Sequence, residues 1–132
     1  MDRFVFTLLL AVGVVLLVQV PSGYAWPESC GTNKSHNFYF GTKSLQDKLL
    51  YRTVEMKDRS FLRKLSYDLL VPPKGHTLTE EITYIEVLDQ YTDEIGGCAY
   101  LNGGGVGNKY VNLHLKSQRN QGIHFLINVY GV

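Results

Sequence analysis

The sequence predicts an all-β domain, an antiparallel sandwich or partly closed barrel of about seven strands. Two observations carry that expectation. From Glu80 to Val132 the chain holds three apolar-alternating runs, Ile82 to Tyr91, Tyr110 to Ser117 and Ile123 to Tyr130. In the second, Val111, Leu113 and Leu115 alternate with Asn112, His114 and Lys116. In the third, Ile123, Phe125, Ile127 and Val129 alternate with His124, Leu126, Asn128 and Tyr130. A period of two belongs to a strand with one buried face. The runs are also punctuated by turn signals, Gly96-Gly97 and the glycines at 103, 104, 105 and 107, at the intervals small β domains show.

Taken in order, the chain starts with the short charged segment Met1-Asp2-Arg3, followed by an uninterrupted apolar run from Phe4 through Val18 and then Gln19, Pro21 and Gly23. A run of about 15 residues is short for a bilayer, which asks for about 20, and suits the core of a signal peptide. Gly23 and Ala25 supply small residues before a cut, so residues 1–25 are expected to be a signal peptide and Trp26 the first mature residue. The alternative, an uncleaved anchor, would need the apolar run to continue where Pro21 and Gly23 end it. Residues 26–132 then form a single secreted β domain with no stable membrane anchor after cleavage, at about the size of one ordinary domain.

Both cysteines, Cys30 and Cys98, lie in that mature part. An even count in a secreted chain argues for a disulfide, and two cysteines allow one connectivity. Asn33-Lys34-Ser35 is an acceptor tripeptide for glycosylation at Asn33 in the secretory pathway, although unoccupied tripeptides of this kind also arise by chance. Asn37-Phe38-Tyr39-Phe40, ending at Gly41, reads as the first strand. Leu49 to Val54 and Lys64 to Val71 alternate as the next two. A short helix over Leu45 to Glu55 is the alternative for the former. Pro72-Pro73-Lys74-Gly75 ends the third strand, because two prolines remove ladder donors and the glycine favours a turn.

The formal net charge is +1, and Lys57, Arg59, Arg63 and Lys64 are interleaved with Asp58, Phe61 and Leu62. That is not the clustered basic surface that phosphate backbones require, so direct nucleic-acid binding is not expected.

A resemblance enters in the glycine-rich half. Ile82-x-x-Ile85 leading to Asp89-Gln90-Tyr91, Gly96-Gly97-x-Ala99, Gly104-Gly105-x-Gly107, Val111-x-Leu113-x-Leu115-x-Ser117, and Gly122-x-x-Phe125-x-Ile127-x-Val129-Tyr130-Gly131 together resemble the insect multiprotein bridging factor 2 family. The match covers nearly the whole mature chain, loosely over Gly41 to Leu50 and closely from Glu80 onward. Many family members are described as probable salivary secreted peptides, whereas the family name implies an intracellular transcriptional coactivator that bridges an activator to the general transcription machinery. No catalytic residues carry over, and Cys30 and Cys98 are not part of the motif.

The remaining constellations are weak. The glycines from 103 to 107 lack the Gly-Lys-Ser/Thr of a phosphate loop and precede a strand, so they read as a turn or bulge needing positive φ. Asp89, Asp93 and Glu94 lack the alternation of a calcium loop, and read as an acidic turn in which Asp89 accepts hydrogen bonds from nearby backbone amides. Cys98 with His114 has no visible third group to orient the histidine. His114 and His124 would make half of a zinc site at most and read as solvent-facing, with His36 and His76 lacking partners. No enzyme activity and no cofactor are therefore expected.

The last two runs are expected to pair as a hairpin, Val111 with Val129, Leu113 with Ile127 and Leu115 with Phe125, across a loop from Gln118 to Gly122. Its outer face would gather Tyr110, His114, His124, Leu126 and Tyr130, a patch apolar and aromatic enough to receive an unknown protein or small ligand. The alternative is that a second sheet or the Phe38-Tyr39-Phe40 strand covers that face. The expectation is a small secreted, non-enzymatic binding or structural protein acting through a surface, salivary by resemblance. The intracellular coactivator is the alternative.

Overall fold

A computed structural model describes residues 36–132. The expected leader and the expected first residue Trp26 lie outside those residues, as do Cys30 and Asn33. Seven strands follow one another: β1 (Phe38–Gly41), β2 (Lys48–Lys57), β3 (Ser66–Val71), β4 (Ile82–Asp89), β5 (Cys98–Gly104), β6 (Val111–Lys116) and β7 (Ile123–Gly131). No helix occurs among the described residues. The segment that also fitted a helix is β2, where Thr53 and Val54 branch at Cβ and Tyr51 is aromatic, all of which suit a pleated surface.

The strands form two antiparallel sheets, ordered β1-β4-β7-β2 and β3-β6-β5. They stack as a sandwich and do not close into a barrel. Each of the two most regular runs is an interior strand: β7 lies between β4 and β2, and β6 between β3 and β5. Val111, Leu113 and Leu115 of β6 and Ile123, Phe125, Ile127 and Val129 of β7 are all fully buried. Ile82, Ile85 and Val87 of β4 join them in one core.

The expected β6–β7 hairpin is not formed. β7 pairs with β2 and β4, and β6 pairs with β3 and β5, so the two strands stack across the core instead of lying side by side. The apolar residues face inward as expected, but their partners are in other strands. The chain crosses between sheets through Gln118 to Gly122, a link held by its own contacts. The Gln118 amide donates to the carbonyls of Glu94 and Gly96 at 2.7 and 2.9 Å. Asn120 N–H donates to the Arg63 carbonyl and Arg119 Nη1 to the Leu62 carbonyl, both at 2.8 Å. Nor does β1 cover an outer face; it pairs with β4 at the sheet edge.

Two turns behave as their residues suggest. Gly104, Gly105 and Gly107 have φ of 63°, 98° and 86°, and a bulge falls between Leu101 and Gly103. This loop meets the start of β4: Gly107 N–H donates to the Ile82 carbonyl and Ile82 N–H to the Asn108 carbonyl, both at 2.8 Å. Asp89 does accept backbone amides. Its carboxylate receives Tyr91 N–H and, from far along the chain, His36 N–H, each at 3.0 Å, while its own N–H donates to the Asn37 side chain at 2.9 Å. A buried carboxylate needs such donors, and it sits so close to Gly96 that a Cβ there would collide with it.

Candidate functional site

The outer face of the four-stranded sheet can be built row by row from β7. Tyr130 stands between Tyr84 of β4 and Leu49 of β2, Asn128 between Glu86 and Arg52, Leu126 between Leu88 and Val54, and His124 beside Met56. At one end Tyr39 of β1 stacks on Tyr84, with ring centroids 6.5 Å apart and planes 5° apart, and Tyr84 leans on Tyr130 at 5.7 Å. Lys43 places its ammonium 4.7 Å from the centre of the Tyr130 ring, within range of a cation–π attraction.

The next row is a polar relay. Arg52 Nε donates to Asn128 Oδ1 at 2.7 Å, and Asn128 Nδ2 donates to Glu86 Oε1 at 2.8 Å. The hydroxyls of Tyr84 and Tyr130 donate to the same carboxylate at 3.2 and 3.4 Å. Burial, then the hydrogen bond to Glu86 and its charge, push the Tyr84 phenol up to about 12. Glu86 accepts from three donors, so this row holds side chains in place. Beyond it, Val54 and Met56 are more than half exposed, as is Tyr39. The face is aromatic at one end and aliphatic toward the other, which suits contact with another surface.

His124, Leu126 and Tyr130 of the expected patch do share this face. Tyr110 and His114 do not, because they belong to the other half of the sandwich. Tyr110 precedes β6, is 47 % exposed and lines an apolar hollow with Pro72, Pro73 and Leu78. The expectation that all five form one surface fails with the hairpin on which it rested. The same geometry separates His114 from His124 into different sheets, and no group of three or more potential metal ligands occurs among the described residues.

His114 also departs from its expected character. It is buried, and both ring nitrogens are engaged: Nδ1 lies 2.7 Å from Asp68 Oδ1 and Nε2 lies 2.8 Å from Ser66 Oγ. Tyr100 packs beside the ring at 6.3 Å, and its phenol is raised by burial. Sequence reasoning missed Ser66 and Asp68. They precede His114 by 48 and 46 residues, and only the β3–β6 register, which sets Asp68 opposite His114, brings them together. Cys98 opens β5, is buried and is not a free thiol.

The family described as "Transcription activator MBF2" matches residues 40–131. A bumblebee protein from Bombus ignitus, named "Probable salivary secreted peptide", is 39% identical over 101 residues, covering 75% of this chain and 72% of the relative. No solved structure matches the chain. The matched span runs from within β1 to the end of β7 and covers more than half of the chain, so the chain belongs to the MBF2 family.

Proposed function

We propose that the protein is exported and acts as a small binding protein through the outer face of its four-stranded sheet. The observation that carries this reading is the exposed row set of Tyr39, Val54 and Met56 around the ordered Tyr84–Glu86–Asn128–Arg52 network. Large apolar groups held on a rigid, solvent-facing sheet contribute to binding and nothing to the core. Export is supported by the apolar run from Phe4 to Val18 and by the relative's name. Cleavage after Ala25, a Cys30–Cys98 disulfide and glycosylation at Asn33 belong to the same reading, in which this face works by contact. The family's description favours a second reading, an intracellular coactivator.

Simultaneous replacement of Tyr39, Val54 and Met56 by serine tests the surface. All three are exposed, so the melting temperature should move by no more than a few degrees, as surface changes do. Cross-linking of the protein to components of its secreted fluid should be lost. Cross-linking that survives in a folded triple variant would place the binding surface elsewhere.

A further inference from the structure

We propose that Ser66 is a reactive serine, activated by a Ser66–His114–Asp68 relay on the outer face of the three-stranded sheet toward activated acyl and phosphonyl groups. This chemistry lies on the opposite side of the sandwich from the binding face and goes beyond it.

The connectivity is that of a nucleophile, a base and an orienting carboxylate. Asp68 Oδ1 lies 2.7 Å from His114 Nδ1, and Ser66 Oγ lies 2.8 Å from His114 Nε2. A carboxylate can only accept, so Nδ1 carries the hydrogen in the neutral imidazole. Nε2 is then the acceptor and receives the Ser66 hydroxyl proton. In the neutral ring the roles follow from donor chemistry. The His114 side chain is 11% exposed and that of Asp68 54%, while Ser66 is exposed, so the base is sheltered and the nucleophile is accessible.

The ladder explains why the three groups meet. Ser117 N–H donates to the Leu65 carbonyl at 2.8 Å, which puts Leu65–Ser117 at a hydrogen-bonded position of the ladder, while Leu65 N–H donates to Ser117 Oγ at 2.7 Å. By alternation, Ser66–Lys116 and Asp68–His114 are non-hydrogen-bonded pairs, in which facing side chains stand closest. The same alternation turns the Ser66 backbone N–H away from β6. Because β3 is an edge strand, that N–H points to the open side of the sheet, where it can donate to a developing oxyanion.

The step forms a bond from Ser66 Oγ to phosphorus or to an acyl carbon. The hydroxyl proton passes to His114 Nε2, and the leaving group, fluoride or a phenolate, departs with its bonding pair. Asp68 faces the resulting imidazolium and is a positioning residue. A phosphonyl adduct stops there. For an acyl adduct the imidazolium gives its proton to the departing phenolate. The neutral imidazole then takes a proton from water as it attacks the acyl carbonyl and returns that proton to Ser66 Oγ as the ester bond breaks, regenerating Ser66 and freeing the carboxylic acid. With one backbone donor on an open face, capture of a single group outpaces turnover.

The test is labelling of the secreted protein with a biotinylated fluorophosphonate, followed by peptide mapping. The expected result is one adduct, on Ser66, absent in Ser66→Ala. Its formation should slow by roughly a hundredfold or more in His114→Gln, in line with the usual contribution of a general base. Because His114 is buried, Asp68→Asn is the variant that spares the fold. It should slow labelling by about tenfold or more and alter its pH profile, which a merely structural role would leave unmoved. The proposal is overturned if the protein stays unlabelled where trypsin is labelled to completion. It is equally overturned if Ser66 is labelled at the same rate, with the same pH profile, in folded Asp68→Asn as in the parent protein.

Discussion

At the scale of single residues, the structure is sharpest where a buried polar group meets its donors. Asp89 holds the start of β1 against the end of β4 through His36 N–H, also accepts Tyr91 N–H from its own turn, and Gly96 leaves the space it occupies. Gly96→Ala should therefore displace the carboxylate and leave it buried without its donors. A loss of about 1–3 kcal/mol is expected in urea unfolding at neutral pH. Tyr84 gives a prediction in pH. Its phenol is raised from the ordinary value near 10 to about 12, so the folded state retains the proton that the unfolded state gives up. The stability this confers is fully present below pH about 10 and is lost as pH rises toward about 12. Tyr84→Phe should lessen the alkaline fall in melting temperature across that window; an unchanged fall would mean that Tyr84 is not the group responsible. The role of Asp89 could be read from its place in a turn. That of His114 could not, because a histidine on an outward position looks solvent-facing until its cross-strand neighbours are known.

At the scale of elements, six of the seven strands were legible as runs, the second with a helix as its alternative, because alternation and turn residues are local signals; β5, Cys98–Gly104, runs into the glycine cluster and shows no such alternation. Pairing was not legible. Alternation records which side of a strand is buried, and the apolar sides of β6 and β7 satisfy it equally well whether the strands lie edge to edge or stack across a core. Here stacking wins, since β7 finds partners on both edges in β2 and β4. Engineered cysteines separate the two arrangements. Val54→Cys with Leu126→Cys joins residues directly opposite in the β2–β7 register and should cross-link on oxidation. His114→Cys with Leu126→Cys, neighbours in a β6–β7 hairpin, should not, because they stand on opposite outer faces of the sandwich. Core burial gives a companion contrast: Phe125→Ala should cost about 3–5 kcal/mol, as large-to-small core changes do.

At the scale of the molecule, the candidate surface changed with the topology. Three of the five expected residues stayed together because they share β7, and two moved to the other sheet with β6. The residues that complete the face, Tyr39, Tyr84, Glu86, Arg52 and Val54, come from three other strands and have no common signature along the chain. The central claim is that this sandwich works outside the cell. Expression of the full chain with its own first 25 residues in cultured insect cells tests it most directly, by locating the protein and measuring its mass. The account predicts protein in the medium that begins at Trp26 and carries Cys30 bonded to Cys98. Protein retained in the nucleus with residues 1–25 still attached would contradict it.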